Sequence, residues 1–128
     1  MSHVFGHGRL AAYAKAVEFY GLIVGMERRL ERHDPCLAER LRVEAVAISI
    51  GIAGGAGATK RTRKASRYRS ALGAATECSA ILDLFAATSK PDGGFDRCRS
   101  LLEEIATQVG ALLLHATREL APRPGPVR

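Results

Sequence analysis

The chain has 128 residues, the size of one ordinary domain, and 47% of them are hydrophobic, so one packed core is expected and wholesale disorder is not. Aromatics make up 5% and Trp is absent, which leaves Ala, Leu, Ile and Val to build that core. Nineteen Lys and Arg against 13 Asp and Glu give a net charge of +6 and a pI near 9.7, a balance suited to a polyanionic partner or an acidic surface. No run of about 18 uncharged apolar residues is present, so no membrane-spanning helix is expected. The start, MSHVFGHGRL, lacks a basic segment followed by an apolar stretch, so a secretory signal is not expected and a cytoplasmic location is. The cysteines Cys36, Cys78 and Cys98 are odd in number and none is spaced C-x-x-C, which fits a reducing compartment and small apolar roles.

The pattern predicts four helices between two polar ends, with almost no period-two alternation to support strands. Residues 1–8 read as a flexible start, 9–120 as the helical domain and 121–128 as a flexible Pro-rich tail. The first helix is expected from about Arg9 to Arg32. Tyr13, Val17, Tyr20 and Val24 make one apolar row, and Phe19, Ile23, Met26 and Leu30 a parallel one. Two adjacent rows suit a bundle helix better than a thin coiled-coil seam. His33-Asp34-Pro35 is a break and a restart, with Asp34 as N-cap and Pro35 at the first helical position.

The second helix carries Leu37, Leu41, Ala45, Ile48 and Ile52, flanked by Val43, Val46 and Ile50. Gly51, Gly54, Gly55 and Gly57 then fall within seven residues. Each costs a helix roughly 1 kcal/mol relative to Ala, so a flexible turn is expected at about 53–60. The third helix starts near Thr59 or Thr62, either of which can cap it. Ala65, Tyr68, Leu72, Ala75, Ser79, Leu82 and Ala86 follow at three-four spacing, with Ala71, Ala74, Cys78, Ile81 and Phe85 beside them. Residues 89–94, Ser-Lys-Pro-Asp-Gly-Gly, read as the third turn. Cys98, Leu102, Ile105, Val109, Leu112, Ala116 and Leu120 mark the last helix. Four such helices joined by short turns predict an all-α, antiparallel up-down-up-down four-helix bundle.

The strongest local feature is basic. Lys60, Arg61, Arg63, Lys64, Arg67 and Arg69 lie within ten residues at the start of the third helix. At about 100° per residue, Lys60, Arg63, Lys64 and Arg67 share one sector beside the apolar face. The helix dipole disfavours cations there, so structure alone does not ask for them, whereas a phosphate does. The competing reading is a solvated charged face. Only Tyr68 interleaves with the cluster, so backbone contacts are expected to outweigh base stacking. Replacing Arg63, Lys64 and Arg67 together is expected to leave the fold intact.

Other chemistry finds no support in the sequence. The glycine-rich stretch lacks G-x-x-x-x-G-K-[ST] and a preceding strand, so it is not a phosphate loop. No Glu has a His three residues later, His3, His7, His33 and His115 are scattered, and adjacent Glu103 and Glu104 point about 100° apart. Cys36 near His33 proves no nucleophile–base geometry. No enzyme, metal site or cofactor is expected.

The segment from Leu41 to Ile50, Leu-Arg-Val-Glu-Ala-Val-Ala-Ile-Ser-Ile, followed by Ile52-Ala53-Gly54-Gly55, resembles the signature of the four-helix-bundle proteins encoded by 23S rRNA intervening sequences. That motif reads approximately Ala-x-Ser-Ile-Pro-x-Asn-Ile-Ala-Glu-Gly, followed by a basic segment, here Lys60 to Arg69, and a small-residue stretch ending in Glu, here Ala71 to Glu77. Leu10-Ala11-Ala12-Tyr13-Ala14-Lys15-Ala16 is similar to the family's start. Gly51 stands where the family has Pro-x-Asn, and Gly54 where it has Glu. The resemblance implies a bundle that assembles into a ring of five. It also implies kinship with the accessory variability proteins of diversity-generating retroelements, basic rings that bind nucleic acid and a reverse transcriptase. The expectation is therefore a non-enzymatic homo-oligomer, with a pentamer first, that binds nucleic acid through Lys60, Arg61, Arg63, Lys64, Arg67 and Arg69. A structural or protein-interaction scaffold with no nucleic-acid role is the alternative.

Overall fold

A computed structural model describes residues 5–88 and 93–120. A 3₁₀ turn, Gly6–Arg9, leads into α1 (Ala11–His33), α2 (Pro35–Gly57), α3 (Arg61–Thr88) and α4 (Gly93–Leu120). Each helix packs on its neighbour in sequence and α4 closes on α1, which makes an antiparallel four-helix bundle with no strand among the described residues. The turn Gly6–Arg9 lies against α2. The calls on residues 1–4, on 89–92 and on the tail 121–128 lie outside the described residues, as does the side chain of Leu120. Gly93 and Gly94, read from sequence as turn residues, belong to the first turn of α4.

The break after α1 follows local chemistry. Asp34 is extended, its carboxylate accepts from Leu37 N at 3.1 Å, and Pro35 occupies the first turn of α2. Within α1 the inner row is Ala12, Ala16, Phe19, Ile23, Met26 and Leu30. The other apolar row faces outward: Val17 and Val24 are exposed, and Tyr13 and Tyr20 half-buried. On α2 the core takes Leu41, Ala45, Ile48 and Ile52, while Val43, Val46 and Ile50 are exposed. The centre is filled by Phe19, Ile23, Leu41, Ile48, Ile52, Leu82, Phe85, Leu101, Ile105 and Val109, all without solvent access or nearly so. Phe95 and Leu101, absent from the sequence-derived row of α4, are buried, with Phe95 stacked on Phe85 at a centroid distance of 6.4 Å.

The glycine-rich stretch overturns the expected turn at 53–60. α2 continues as helix to Gly57, and only Ala58, Thr59 and Lys60 connect it to α3. No glycine among the described residues has a positive φ, so backbone freedom is not what these glycines supply. They supply clearance. A Cβ on Gly51 would lie 2.9 Å from Ala71 Cβ and 3.1 Å from Arg67 O, and one on Gly55 would lie 2.5 Å from the Tyr68 ring. The propensity cost of each glycine is offset by close packing of α2 on α3, where Ala71, Ala74 and Ala75 are also buried.

α3 is long enough to cross a membrane and contains an 18-residue window apolar enough to do so, although no uncharged apolar run of that length exists in the chain. Its apolar residues Ala71, Ala74, Cys78, Ile81, Leu82 and Phe85 are packed into the bundle.

The clearance argument gives opposite signs for two glycine replacements. Gly55→Ala forces the Tyr68 ring to move and is expected to destabilise the fold by about 1–3 kcal/mol. Gly73→Ala meets nothing within 4 Å in the middle of α3 and is expected to stabilise it by about 1 kcal/mol. Denaturant unfolding of both variants beside the parent checks the pair. A Gly55→Ala protein as stable as Gly73→Ala would show that the seam is not sterically tight.

Candidate nucleic-acid interface

The short connection between α2 and α3 determines where the six predicted cations go. α3 starts at Arg61, with Lys60 just before it and the Lys60 carbonyl accepting from Lys64 N at 3.0 Å. The expected threonine caps do not form: neither the Thr59 nor the Thr62 side chain makes a hydrogen bond to the helix start. Lys60, Arg63 and Arg67 come together. With Gly54, Gly57, Ala58 and Thr59 they line an open groove of about 330 Å³ at the α2–α3 corner. Their side chains project into solvent, and Arg67 lays its aliphatic stem over Gly54, where a Cβ would sit 3.3 Å from Arg67 Cδ.

Lys64 has a different role from the one its spacing suggests. It is half-buried, and its Nζ donates to the carbonyls of Gly55 at 2.6 Å and Ala56 at 3.3 Å. These are carbonyls of the last turn of α2, beyond the reach of helical amides, and the Gly55 carbonyl also accepts from Ala58 N at 3.3 Å. The same ammonium stands 5.7 Å from the Tyr68 ring centre. Lys64 therefore ties α3 to the C-terminus of α2, where a cation also opposes the negative end of the helix dipole. Arg61 and Arg69 are exposed but do not line the groove. On an ideal wheel Arg69 lies about 120° from Arg63 and about 160° from Arg67.

The three groove cations have no ion-pair partner among the described residues. Arg28, Arg32, Arg69 and Arg118 have none either, but some cations elsewhere do: Arg97 with Glu18, Arg99 with Asp83 at 2.7 Å, Arg42 with Glu27 at 3.6 Å, and Lys15 with Glu104 at 3.8 Å. The contrast traces to the sequence, because between Glu44 and Glu77 there is no Asp or Glu at all. That acid-free stretch covers the C-terminal half of α2 and the N-terminal half of α3. It is a signal of the site that cation spacing alone misses, as are the groove residues Gly54, Gly57 and Thr59.

The remaining titratable groups do not converge on a second site. Glu44 is the most enclosed carboxylate in the α2–α3 seam. Burial, then a hydrogen bond to Glu77 and repulsion from it, hold its pKa above the usual carboxylate value, and Arg40 at 3.4 Å opposes the shift. The Cys78 thiol is pushed up to about 12 by burial first, with Glu44, Glu77 and Cys98 adding to it, which keeps it an unreactive core thiol. Cys98 is also buried, and Cys36 is exposed. His33 Nε2 lies 2.8 Å from Thr88 Oγ1, joining the ends of α1 and α3. Among the described residues no three His, Cys, Asp or Glu side chains are grouped to hold a metal ion. No protein-family model, curated protein or solved structure matches the chain.

The division of labour within the cluster is measurable in the absence of any ligand. Lys64→Met removes two carbonyl contacts and is expected to lower stability by about 1–2 kcal/mol. Arg63→Ala, which removes an exposed and unpaired charge near a helix start, is expected to be neutral or slightly stabilising. Thermal unfolding at one pH and ionic strength compares them. Equal melting temperatures for the two variants would return Lys64 to the ordinary surface.

Proposed function

We propose that this chain is a non-enzymatic, self-associating helical bundle that binds the phosphate backbone of RNA or DNA through Lys60, Arg63 and Arg67, with no cofactor. The observation that carries the reading is the convergence of three cations without an ion pair on one groove within the acid-free stretch between Glu44 and Glu77. Polyanion binding follows from that charge, since each cation that meets a phosphate releases a condensed counterion. Stacking aromatics are absent from the groove lining, which favours backbone contacts over base reading. The resemblance to the intervening-sequence bundle proteins supports the same function, and three cysteines with no C-x-x-C pair suit a cytoplasmic setting. Lys64 is assigned a structural role in this reading because its Nζ donates to the Gly55 and Ala56 carbonyls.

The test is binding of single-stranded RNA and duplex DNA to the parent and to a Lys60→Ala/Arg63→Ala/Arg67→Ala variant at 50 and 200 mM salt. Three phosphate contacts give the parent a loss of about fortyfold on duplex DNA and about twentyfold on single-stranded RNA over that range. The folded variant is expected to bind weakly and with a shallower salt slope. If it binds as the parent does, the cluster is a solvated face and the scaffold reading takes over.

Self-association rests on a second observation. Val17 and Val24 on α1 and Val43, Val46 and Ile50 on α2 are exposed, Ile50 to 60%, and Tyr20 joins Val43, Val46 and Arg42 along one shallow groove. Neighbouring exposed apolar residues of this kind suit a protein interface. A ring of five, the state implied by the family resemblance, would repeat the basic groove on every subunit and add weak contacts through avidity. Light scattering at micromolar concentration is expected to give a mass about five times that of one chain if the ring forms. A persistent 13.7 kDa species would remove self-association.

A further inference from the structure

The geometry points to a seat for a single phosphodiester in the α2–α3 corner groove, so that nucleic-acid affinity depends on the shape of the groove as well as on its charge. This inference rests on the backbone-binding function proposed above. A diffuse basic face would only need cations distributed over a helix surface. The structure is more particular than that. Of the six clustered cations, three line one concavity, one is folded inward onto α2, and two lie outside the groove. The concavity of about 330 Å³ accommodates a sugar-phosphate unit but not a stacked run of bases, and its floor is backbone and small side chains at Gly54, Gly57, Ala58 and Thr59.

Two features hold the groove in shape. The Lys64 ammonium fixes the end of α2 against α3 through the Gly55 and Ala56 carbonyls. Gly54 leaves room for the Arg67 stem, which passes close enough that even a methyl group at position 54 would press on it. Arg67 is thereby laid along the groove wall, which Arg63 and Lys60 also line. A guanidinium offers paired donors to two phosphate oxygens, and the neighbouring ammonium adds a point charge. The Thr59 hydroxyl, which has no hydrogen-bond partner among the described residues, is a further donor on the lining.

Shape and charge are separable here, because Gly54 can be changed without altering net charge. Gly54→Leu fills the groove and displaces Arg67 while retaining all six cations. Leu favours helix over Gly, and position 54 is only half-buried, so α2 is expected to survive, which circular dichroism of the variant checks. RNA and DNA binding by Gly54→Leu is expected to fall about tenfold or more, the loss that follows from forfeiting one charge-assisted hydrogen bond. If Gly54→Leu stays folded and binds as the parent does while Lys60→Ala/Arg63→Ala/Arg67→Ala loses binding, the groove inference fails and the backbone-binding function stands. If the triple variant also binds as the parent does, the backbone-binding function itself fails.

A second measurement on the unaltered protein needs no variant to fold. Amide chemical shifts are followed during titration with inorganic phosphate, with chloride at matched ionic strength as the control. Saturable shifts confined to residues 54–67 with phosphate alone are expected. Equal shifts with chloride would overturn the seat. Saturation by free phosphate without competition from an RNA oligonucleotide would assign the groove to a small anion and overturn the nucleic-acid source.

Discussion

The close approach of α2 and α3 at Gly51 and Gly55 is the constraint on which the rest of the molecule depends. With Ala71 and Tyr68 occupying the space where side chains at 51 and 55 would begin, the two helices meet nearly backbone to side chain. Such contact gains dispersion energy over many atom pairs and leaves little room for adjustment, so it fixes the relative position of the helices. It also explains why α2 persists through four glycines. Isolated, that segment would fray; packed on α3, its helical state is stabilised by tertiary contacts. The consequence reaches the surface. Because α2 runs to Gly57, three residues suffice to enter α3, and the first turns of α3 lie directly beside the last turn of α2. Lys64 can then reach the Gly55 carbonyl, and Lys60, Arg63 and Arg67 can share one groove with Gly54 and Gly57.

The parts of this fold legible in the sequence are those set by local chemistry or by a single unambiguous stripe. Asp34-Pro35 is such a case, since a carboxylate acceptor and a residue lacking an amide define a helix start whatever surrounds them. The rows Phe19-Ile23-Met26-Leu30 and Leu41-Ala45-Ile48-Ile52 are others. Ambiguity enters where two apolar rows adjoin. Tyr13, Val17, Tyr20 and Val24 are as apolar as the inner row, and nothing in their periodicity says that Ala12 and Ala16 take the core instead. Small residues there let a neighbouring helix come near, a choice made by the partner helix and not by α1. The glycine segment fails for a related reason. Propensity counts what each residue costs an isolated helix, whereas Gly55 is where it is because of Tyr68, thirteen positions away.

The basic cluster shows the same division between spacing and partner. Spacing correctly groups Lys60, Arg63 and Arg67, because all three lie on one side of α3 at its junction with α2. It also groups Lys64, whose ammonium turns toward carbonyls at the end of another helix. No wheel drawn on α3 contains those acceptors. Arg61 and Arg69, neighbours in sequence, are separated from the groove by helical rotation alone.

What remains is the energetic meaning of the three groove cations. Cations near a helix N-terminus are disfavoured by about 0.3–1 kcal/mol each within the first turn. Lys64 recovers that cost inside the chain, through the carbonyls of α2 and the face of Tyr68. Lys60 and Arg63 recover nothing comparable, and Arg67, one turn further on, has packing for its stem but no counter-charge for its head. Arg97 meets Glu18 and Arg99 meets Asp83, whereas Arg28, Arg32, Arg69 and Arg118 lack an ion pair among the described residues just as the triplet does, so what sets Lys60, Arg63 and Arg67 apart is that they share one groove. Solubility would be served equally by cations placed anywhere on the exposed faces. Lys60, Arg63 and Arg67 lie instead within the long acid-free stretch between Glu44 and Glu77 and line one concavity with Gly54, so a counter-charge seated there would meet all three. On the function proposed above, an anion from outside the chain supplies it.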